Sequence, residues 1–105
     1  MEAASMSTHT LLIRDNLTIY NASEQKKLLL AAVAVAETLE LDLSPVSEID
    51  TAGVQLLILL KREAQLCGHG LRIVAHSPAV SEALEFFNLT TFFGDPLVIP
   101  ANSSP

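Results

Sequence analysis

The sequence contains no tryptophan and only one cysteine, Cys67, among its 105 residues. A single thiol excludes an internal disulfide and fits a reducing compartment. Basic residues are also scarce, with six lysines and arginines against twelve aspartates and glutamates, for a formal charge of −6. Because this charge repels phosphate backbones and anionic lipid headgroups, nucleic acid and membrane surfaces are poor partners.

Long apolar runs are absent as well. The most apolar stretch, residues 28–36, is far shorter than the roughly 20 residues that span a bilayer, so we expect no direct membrane insertion. The first ten residues have no basic leader and no apolar segment, so we expect no secretory signal and a cytoplasmic location. What is present is a hydrophobic content of 50% with 17% charged residues, which is typical of a globular domain.

Alternating strand and helix patterns predict one α/β domain with a largely parallel sheet. Residues 1–8 and 101–105 are predicted to be flexible ends around a domain at residues 9–100. Ser23 is predicted to be the N-cap of the first helix, whose apolar middle predicts deep burial. The predicted strands cover residues 10–14, 17–21, 38–43, 71–75 and 97–99, and the predicted helices cover residues 24–37, 51–67 and 77–88.

The second predicted helix has two distinct faces. Val54 and Ile58 allow two interpretations: they contact a neighbouring element, or they form an exposed apolar patch for a partner. Its outer face holds Thr51, Gln55, Ile58 and Arg62, with Val54 at the edge, and its inward stripe holds Gly53, Leu56, Leu57, Leu60, Ala64 and Cys67.

Asp50 and Thr51 stand where this helix begins. Asp and Thr are favoured N-caps because their oxygens accept hydrogen bonds from unpaired amides, so structural capping is one interpretation. The other is that the Thr51 hydroxyl accepts a phosphate, which the positive end of a helix dipole favours. The two are compatible, and a phosphate would add about two negative charges beside Asp42, Glu48 and Asp50.

Together these residues resemble the STAS domain, the fold of sulfate transporters and anti-sigma factor antagonists. The resemblance covers residues 10–93 and centres on Asp50-Thr51-Ala52-Gly53 between a strand at 39–43 and the helix behind it. It continues through Gly70-Leu71-Arg72-Ile73-Val74, the helix at 77–88 and Leu89-Thr90-Thr91-Phe92-Phe93. The resemblance implies a single domain with a mixed, mostly parallel sheet packed by helices on one side.

The resemblance also implies a phosphorylation-controlled switch. In the antagonist branch, a serine/threonine kinase phosphorylates the hydroxyl residue after the Asp, a phosphatase removes the phosphate, and the unmodified form binds the kinase or anti-sigma factor. Thr51 then takes the phosphoacceptor position, and no cofactor or metal is needed. The implied partner-binding surface comprises Asp50, Thr51, Ala52, Gly53, Val54, Gln55, Ile58 and Arg62.

The motif departs from the antagonist pattern in having Thr51 and Ala52, where a serine and a second hydroxyl residue are usual. Asp-Thr-Ala-Gly also resembles the motif of STAS subunits in lipid-transporting ABC complexes, which dock on an ATPase and stabilise it without phosphoryl transfer. A small-molecule-binding or lipid-binding STAS module is a third alternative. The first two would use the same surface around Thr51.

Other residues with reactive side chains indicate no enzyme. His9, His69 and His76 are scattered rather than clustered as metal ligands are, and Cys67 is predicted to be a small core residue. No Ser-His-Asp arrangement and no phosphate-cradling glycine loop is present.

Overall fold

The computed structural model describes residues 7–93, in which strands and helices alternate along the chain. Their bounds are β1 Thr8–Leu12, α1 Ala22–Val35, β2 Thr38–Leu43, α2 Thr51–Cys67, β3 Gly70–His76 and α3 Pro78–Phe86. This order confirms the α/β class. The predicted strand at residues 97–99 lies outside the described residues. Among residues 7–93, no helix is long and apolar enough to cross a bilayer.

The three strands of residues 7–93 form a parallel sheet with β2 in the centre. The leucines of β2 alternate with polar residues, so they all point to one face, and Leu39, Leu41 and Leu43 are fully buried there. The helices cover this face: α1 and α2 pack against each other, α1 contacts β2, and α2 and α3 contact β3.

The opposite face of the sheet has polar side chains at its centre. Glu40, at its centre, accepts a hydrogen bond from the Thr10 hydroxyl on β1 (3.0 Å) and forms an ion pair with Arg72 on β3 (2.7 Å). The three residues are paired in register across the strands. Because these polar side chains can face water, this part of the sheet needs no covering helix. The helices of residues 7–93 lie on the other side of the sheet, as the resemblance implies.

Two helix boundaries follow directly from local chemistry. Gly68 ends α2 in the left-handed conformation (φ 74°), which glycine adopts at no steric cost. The Ser77 hydroxyl accepts a hydrogen bond from the Val80 amide (3.2 Å) and caps α3, whose first residue is Pro78. Both signals were readable in the sequence, although α3 ends at Phe86, two residues earlier than predicted.

The predicted second strand, residues 17–21, is wrong. Only Leu17 makes a strand-like contact, an isolated parallel bridge to Ile49, and residues 18–21 form a turn. Hydrogen bonds from the Asn21 and Ala22 amides to the Thr18 carbonyl close this turn (3.0 and 2.8 Å). The β-like composition of the segment was overridden by the tertiary contact at Leu17.

The first helix also differs from its prediction. It begins at Ala22 after Asn21, so Ser23 lies inside the helix and is not its N-cap. The prediction that its whole apolar middle is buried is wrong too, because Leu28 is 65% and Val35 is 68% exposed while Leu29 and Val33 are buried. A helix that packs on one side covers only a stripe of its surface.

The domain boundary and the cysteine require two smaller corrections. Ser7 and Thr8, predicted as part of the flexible N-terminus, belong to the paired structure: Ser7 accepts hydrogen bonds from the Glu37 and Thr38 amides, and Thr8 starts β1. Cys67 is exposed at the end of α2, so its prediction as a core residue is wrong.

Candidate functional site

The first turn of α2 presents Thr51 on the surface. Thr51 is the first helical residue and is exposed. Asp50 precedes it in extended conformation and caps the helix, with one carboxylate oxygen accepting from the Gly53 amide (3.1 Å). Capping therefore falls to Asp50, and Thr51 lies on the surface beside this cap.

Asp50 also holds a second segment of the chain. Its other carboxylate oxygen accepts a hydrogen bond from the Ile19 amide (2.9 Å), and its own amide donates to the Leu17 carbonyl (3.1 Å). The Leu17 amide in turn donates to the Glu48 carbonyl (3.0 Å). The turn at residues 18–21, called here the Thr18 turn, is thereby fixed against the start of α2.

These hydrogen bonds affect the charge of Asp50. The Ile19 amide, with smaller contributions from Gly53 and neighbouring amides, lowers the pKa of Asp50 below its ordinary value because each donor favours the ionised carboxylate. A hydrogen bond from the Ser44 hydroxyl, together with the Ser44 amide, lowers the pKa of Asp42 at the end of β2 in the same way. Asp50 therefore keeps its negative charge beside Thr51 at neutral pH.

Gly53 is required by a close approach of backbone to backbone. A Cβ atom added at this position would lie 2.0 Å from the Leu17 carbonyl oxygen and 2.8 Å from the Leu17 carbonyl carbon. Glycine thus lets the first turn of α2 rest directly on Leu17, which explains the fourth residue of the Asp-Thr-Ala-Gly signature physically.

Four of the eight predicted partner-binding residues share one stripe on the surface of α2. Thr51, Gln55 and Arg62 are exposed and Ile58 is half-buried, and the spacing of these residues places them on a single face of the helix. We call this stripe the Thr51 face. Ala52 is half-buried beside it and, with Gln55, lines a shallow groove toward the start of α1.

Val54 does not belong to an exposed apolar patch. Its side chain is only 2% exposed, so the interpretation that it contacts a neighbouring element is correct and the interpretation as a surface patch with Ile58 is wrong. Gly53 is buried as well. Neither residue can offer area to a partner without rearrangement, and their contribution to the site is to position α2.

Sequence reasoning missed a groove beside Asp50. It lies between residues 47–50, the Thr18 turn and α3, and has a volume of about 680 Å³. The aromatic rings on it are strongly exposed: Tyr20 is 95% and Phe86 is 79% exposed. We call it the Tyr20–Phe86 groove. Its lining comprises Thr18, Tyr20, Ser47, Glu48, Ile49, Asp50, Ala79, Glu82, Ala83 and Phe86.

Metal-ligating residues do not converge in the described structure. Among residues 7–93, no group of three or more His, Cys, Asp or Glu side chains could hold a metal ion. His69 is engaged structurally, since its Nδ1 atom lies 2.8 Å from the Val33 carbonyl oxygen and ties the end of α2 to α1.

Comparison with known proteins identifies the family. The family description "Mlab, STAS domain" matches residues 1–99, and the chain therefore belongs to the STAS family. No curated protein matches the chain. The solved structure of the anti-sigma factor antagonist SpoIIAA in its unphosphorylated form is similar, with a TM-score of 0.70 and 18% sequence identity, covering 86% of this chain and 80% of that chain. At this identity the likeness shows a shared fold.

The double role of Asp50 predicts a specific pH dependence of stability. Since the pKa of Asp50 is lowered in the folded chain, its stabilising effect is present above the ordinary value of 3.8 and is lost as the pH falls through the lower folded value. Asp50→Asn keeps a capping oxygen but offers the Ile19 amide no second acceptor. We expect the variant to be less stable than the wild type at pH 7, by a margin that shrinks toward pH 3.

Urea unfolding of both proteins at a series of pH values measures this margin. Glu85→Gln, which removes an exposed negative charge from α3, shows how much of the change comes from net charge alone. A margin that stays constant between pH 7 and pH 3 would contradict the role of Asp50 as an ionised clamp.

Proposed function

We propose that the chain is a phosphorylation-controlled protein-interaction switch of the anti-sigma factor antagonist type, acting in the cytoplasm without a cofactor. Thr51 is the phosphoacceptor. In its unphosphorylated form the chain binds a serine/threonine kinase or an anti-sigma factor, and a phosphatase restores that form. The observation that carries the proposal is that Thr51 is exposed at the start of a helix whose N-cap is supplied by Asp50.

The surroundings of Thr51 support a switch that changes the surface and leaves the fold intact. Because Asp50 caps α2 and fixes the Thr18 turn, none of these hydrogen bonds needs the Thr51 hydroxyl. A phosphate would add about −1.5 to −2 charge units at this position. It would stand beside the carboxylates of Glu48 and Asp50, and would block the Thr51 face by its size and by repelling acidic groups of a partner.

The contact surface proposed for the partner is the one built around the first turns of α2. Thr51, Gln55 and Arg62 supply exposed polar groups and Ile58 a half-buried apolar one. Asp50, Ala52, Gly53 and Val54 hold these groups in place. The similarity of fold to an anti-sigma factor antagonist supports this choice of partner class.

Substitutions at Thr51 test the switch. We expect the tagged chain to recover a serine/threonine kinase or an anti-sigma factor from its native cell as the wild type and as Thr51→Ala, and about a hundredfold less as Thr51→Glu, because the added charge costs affinity at the centre of an interface. Thr91→Glu makes the same change at an exposed position outside the site and is the matched control. Mass spectrometry should find phosphate on Thr51 in the tagged wild type that is recovered without a partner, and none in the partner-bound fraction.

Two results would contradict the proposal. One is equal recovery of the same kinase by the wild type and Thr51→Glu. The other is recovery of a transporter ATPase in place of a kinase, with Thr51→Ala and the wild type equally effective and Thr51 unmodified, as a structural subunit of an ABC complex would show.

A further inference from the structure

The Tyr20–Phe86 groove is separate from the Thr51 face. Asp50 lines the groove, whereas Thr51, Gln55, Ile58 and Arg62 do not. The groove also uses different elements, the Thr18 turn and α3. A partner that covers the start of α2 thus meets two neighbouring surfaces, of which one carries the phosphoacceptor.

The aromatic side chains of the groove lie largely in solvent. Tyr20 is the chain's only tyrosine, and its ring is almost wholly in water. Phe86 is one of four phenylalanines and packs edge to face on Phe87 alone among the aromatic rings of residues 7–93, with its centroid 5.0 Å away. Exposed aromatic residues gathered on one concave surface are typical of protein interfaces.

The charges of the groove have one sign. Glu48, Asp50 and Glu82 line it, and no lysine, arginine or histidine does. The Asp50 carboxylate is occupied by the Ile19 and Gly53 amides. Glu48 and Glu82 are exposed and form no ion pair with any other residue in the range 7–93. A complementary ligand therefore carries positive charge, which disfavours nucleotides, acidic peptides and anionic lipid.

We propose that the Tyr20–Phe86 groove docks a segment of the protein partner in which an apolar side chain lies next to lysine or arginine. The apolar side chain packs against Tyr20 and Phe86, and the cations pair with Glu48 and Glu82. The inference rests on the proposed function in that the partner is the one bound through the Thr51 face. The groove supplies the part of the interface that phosphorylation of Thr51 does not control.

A random 12-residue peptide library displayed on phage, panned against the full chain, is the probe. We expect enriched sequences to combine an aromatic or aliphatic residue with neighbouring lysines or arginines. A synthetic copy of the leading peptide is then titrated by fluorescence polarisation. Its affinity for Tyr20→Ala and for Phe86→Ala should be lower than for the wild type by a factor of about ten or more, since buried aromatic anchors dominate interface energies. Leu66→Ala, an exposed apolar residue on α2, is the control and should bind as the wild type does.

The electrostatic part has its own matched pair on α3. Glu82→Gln should weaken binding about two- to fivefold, and the loss should shrink in high salt, because exposed ion pairs are modest and screened. Glu85→Gln, on the same helix outside the groove, should leave affinity unchanged. Circular dichroism of each variant checks the fold, which substitutions at these exposed positions should leave unchanged.

Thr51→Glu separates this inference from the switch. The peptide should bind Thr51→Glu as tightly as the wild type, even though capture of the whole partner is lost. Three results would overturn the groove proposal and leave the Thr51 experiment standing. Panning enriches no sequence or only acidic sequences, or the peptide binds Phe86→Ala as well as the wild type. The third is a dimer of the chain in sedimentation that depends on Phe86. If the wild type and Thr51→Glu captured the partner equally while the peptide still bound through the groove, the switch would be contradicted and the groove proposal would stand.

Discussion

Gly53→Ala should destabilise the domain by about 3 kcal/mol or more, at the upper end of the range for overpacked sites. The added methyl group meets the Leu17 carbonyl oxygen at 2.0 Å, and a backbone atom cannot rotate away as a side chain can. The higher helix propensity of alanine offsets only about 1 kcal/mol of this. Because the contact joins α2 to the segment before the Thr18 turn, we expect the variant also to lose partner capture through Thr51.

Gly70→Ala is the matched control for this substitution. A Cβ atom at Gly70 would lie 3.3 Å from the Thr38 hydroxyl oxygen, a side-chain atom that can move by a few tenths of an ångström. Urea unfolding of both variants compares the two sites directly. If Gly53→Ala were as stable as Gly70→Ala, the close packing of α2 on Leu17 would be refuted.

Leu57→Ala should cost about 2–5 kcal/mol, the range for a large-to-small change in a close-packed core. Leu57 lies in the middle of α2 with 0% exposure, within the cluster that joins the helices to the sheet. Since the whole domain is expected to be stable by only about 5–15 kcal/mol, this loss is a large share of the total.

The same substitution elsewhere in α2 provides the comparison. Leu66 is 81% exposed, so Leu66→Ala should change stability by less than about 0.5 kcal/mol. Both variants alter helix propensity equally, and the difference in their urea midpoints isolates burial. Comparable midpoints for the two variants would show that the inward stripe is placed on the wrong face of α2.

The parts of the fold that the sequence predicted are those in which local and long-range signals agree. In β2, leucine alternates with polar residues through residues 38–43, and in α2 the capping Asp50 and the terminal Gly68 coincide with the limits of the apolar stripe. The structure has both elements at the predicted residues. For such segments, the preference of the isolated chain and the demands of the core point to one answer.

The errors arose where tertiary contacts decide. Residues 17–21 have a strand-like composition, but Leu17 is drawn to Ile49 and the following residues turn back. Val54 stands at the edge of a helical wheel, and a wheel does not show which neighbour covers an edge position. The burial of Val54 depends on packing that is visible only in the folded structure.

The Tyr20–Phe86 groove could not be predicted for a related reason. Its two aromatic residues lie on a turn and on α3, far apart in sequence, and both were assigned to predicted elements that imply no shared surface. The start of α2 could be predicted because Asp50, Thr51 and Gly53 are close together in the chain and carry capping and turn chemistry of their own.

One carboxylate, that of Asp50, supports two neighbouring surfaces, the Thr51 face and the Tyr20–Phe86 groove. One of its oxygens accepts a hydrogen bond from the Ile19 amide and the other from the Gly53 amide. The turn that carries Tyr20 and the helix that carries Thr51 are therefore held by the same carboxylate. Changes at Tyr20 or at Thr51 can therefore alter one surface at a time, whereas a replacement at position 50 that removes both oxygens disturbs both at once.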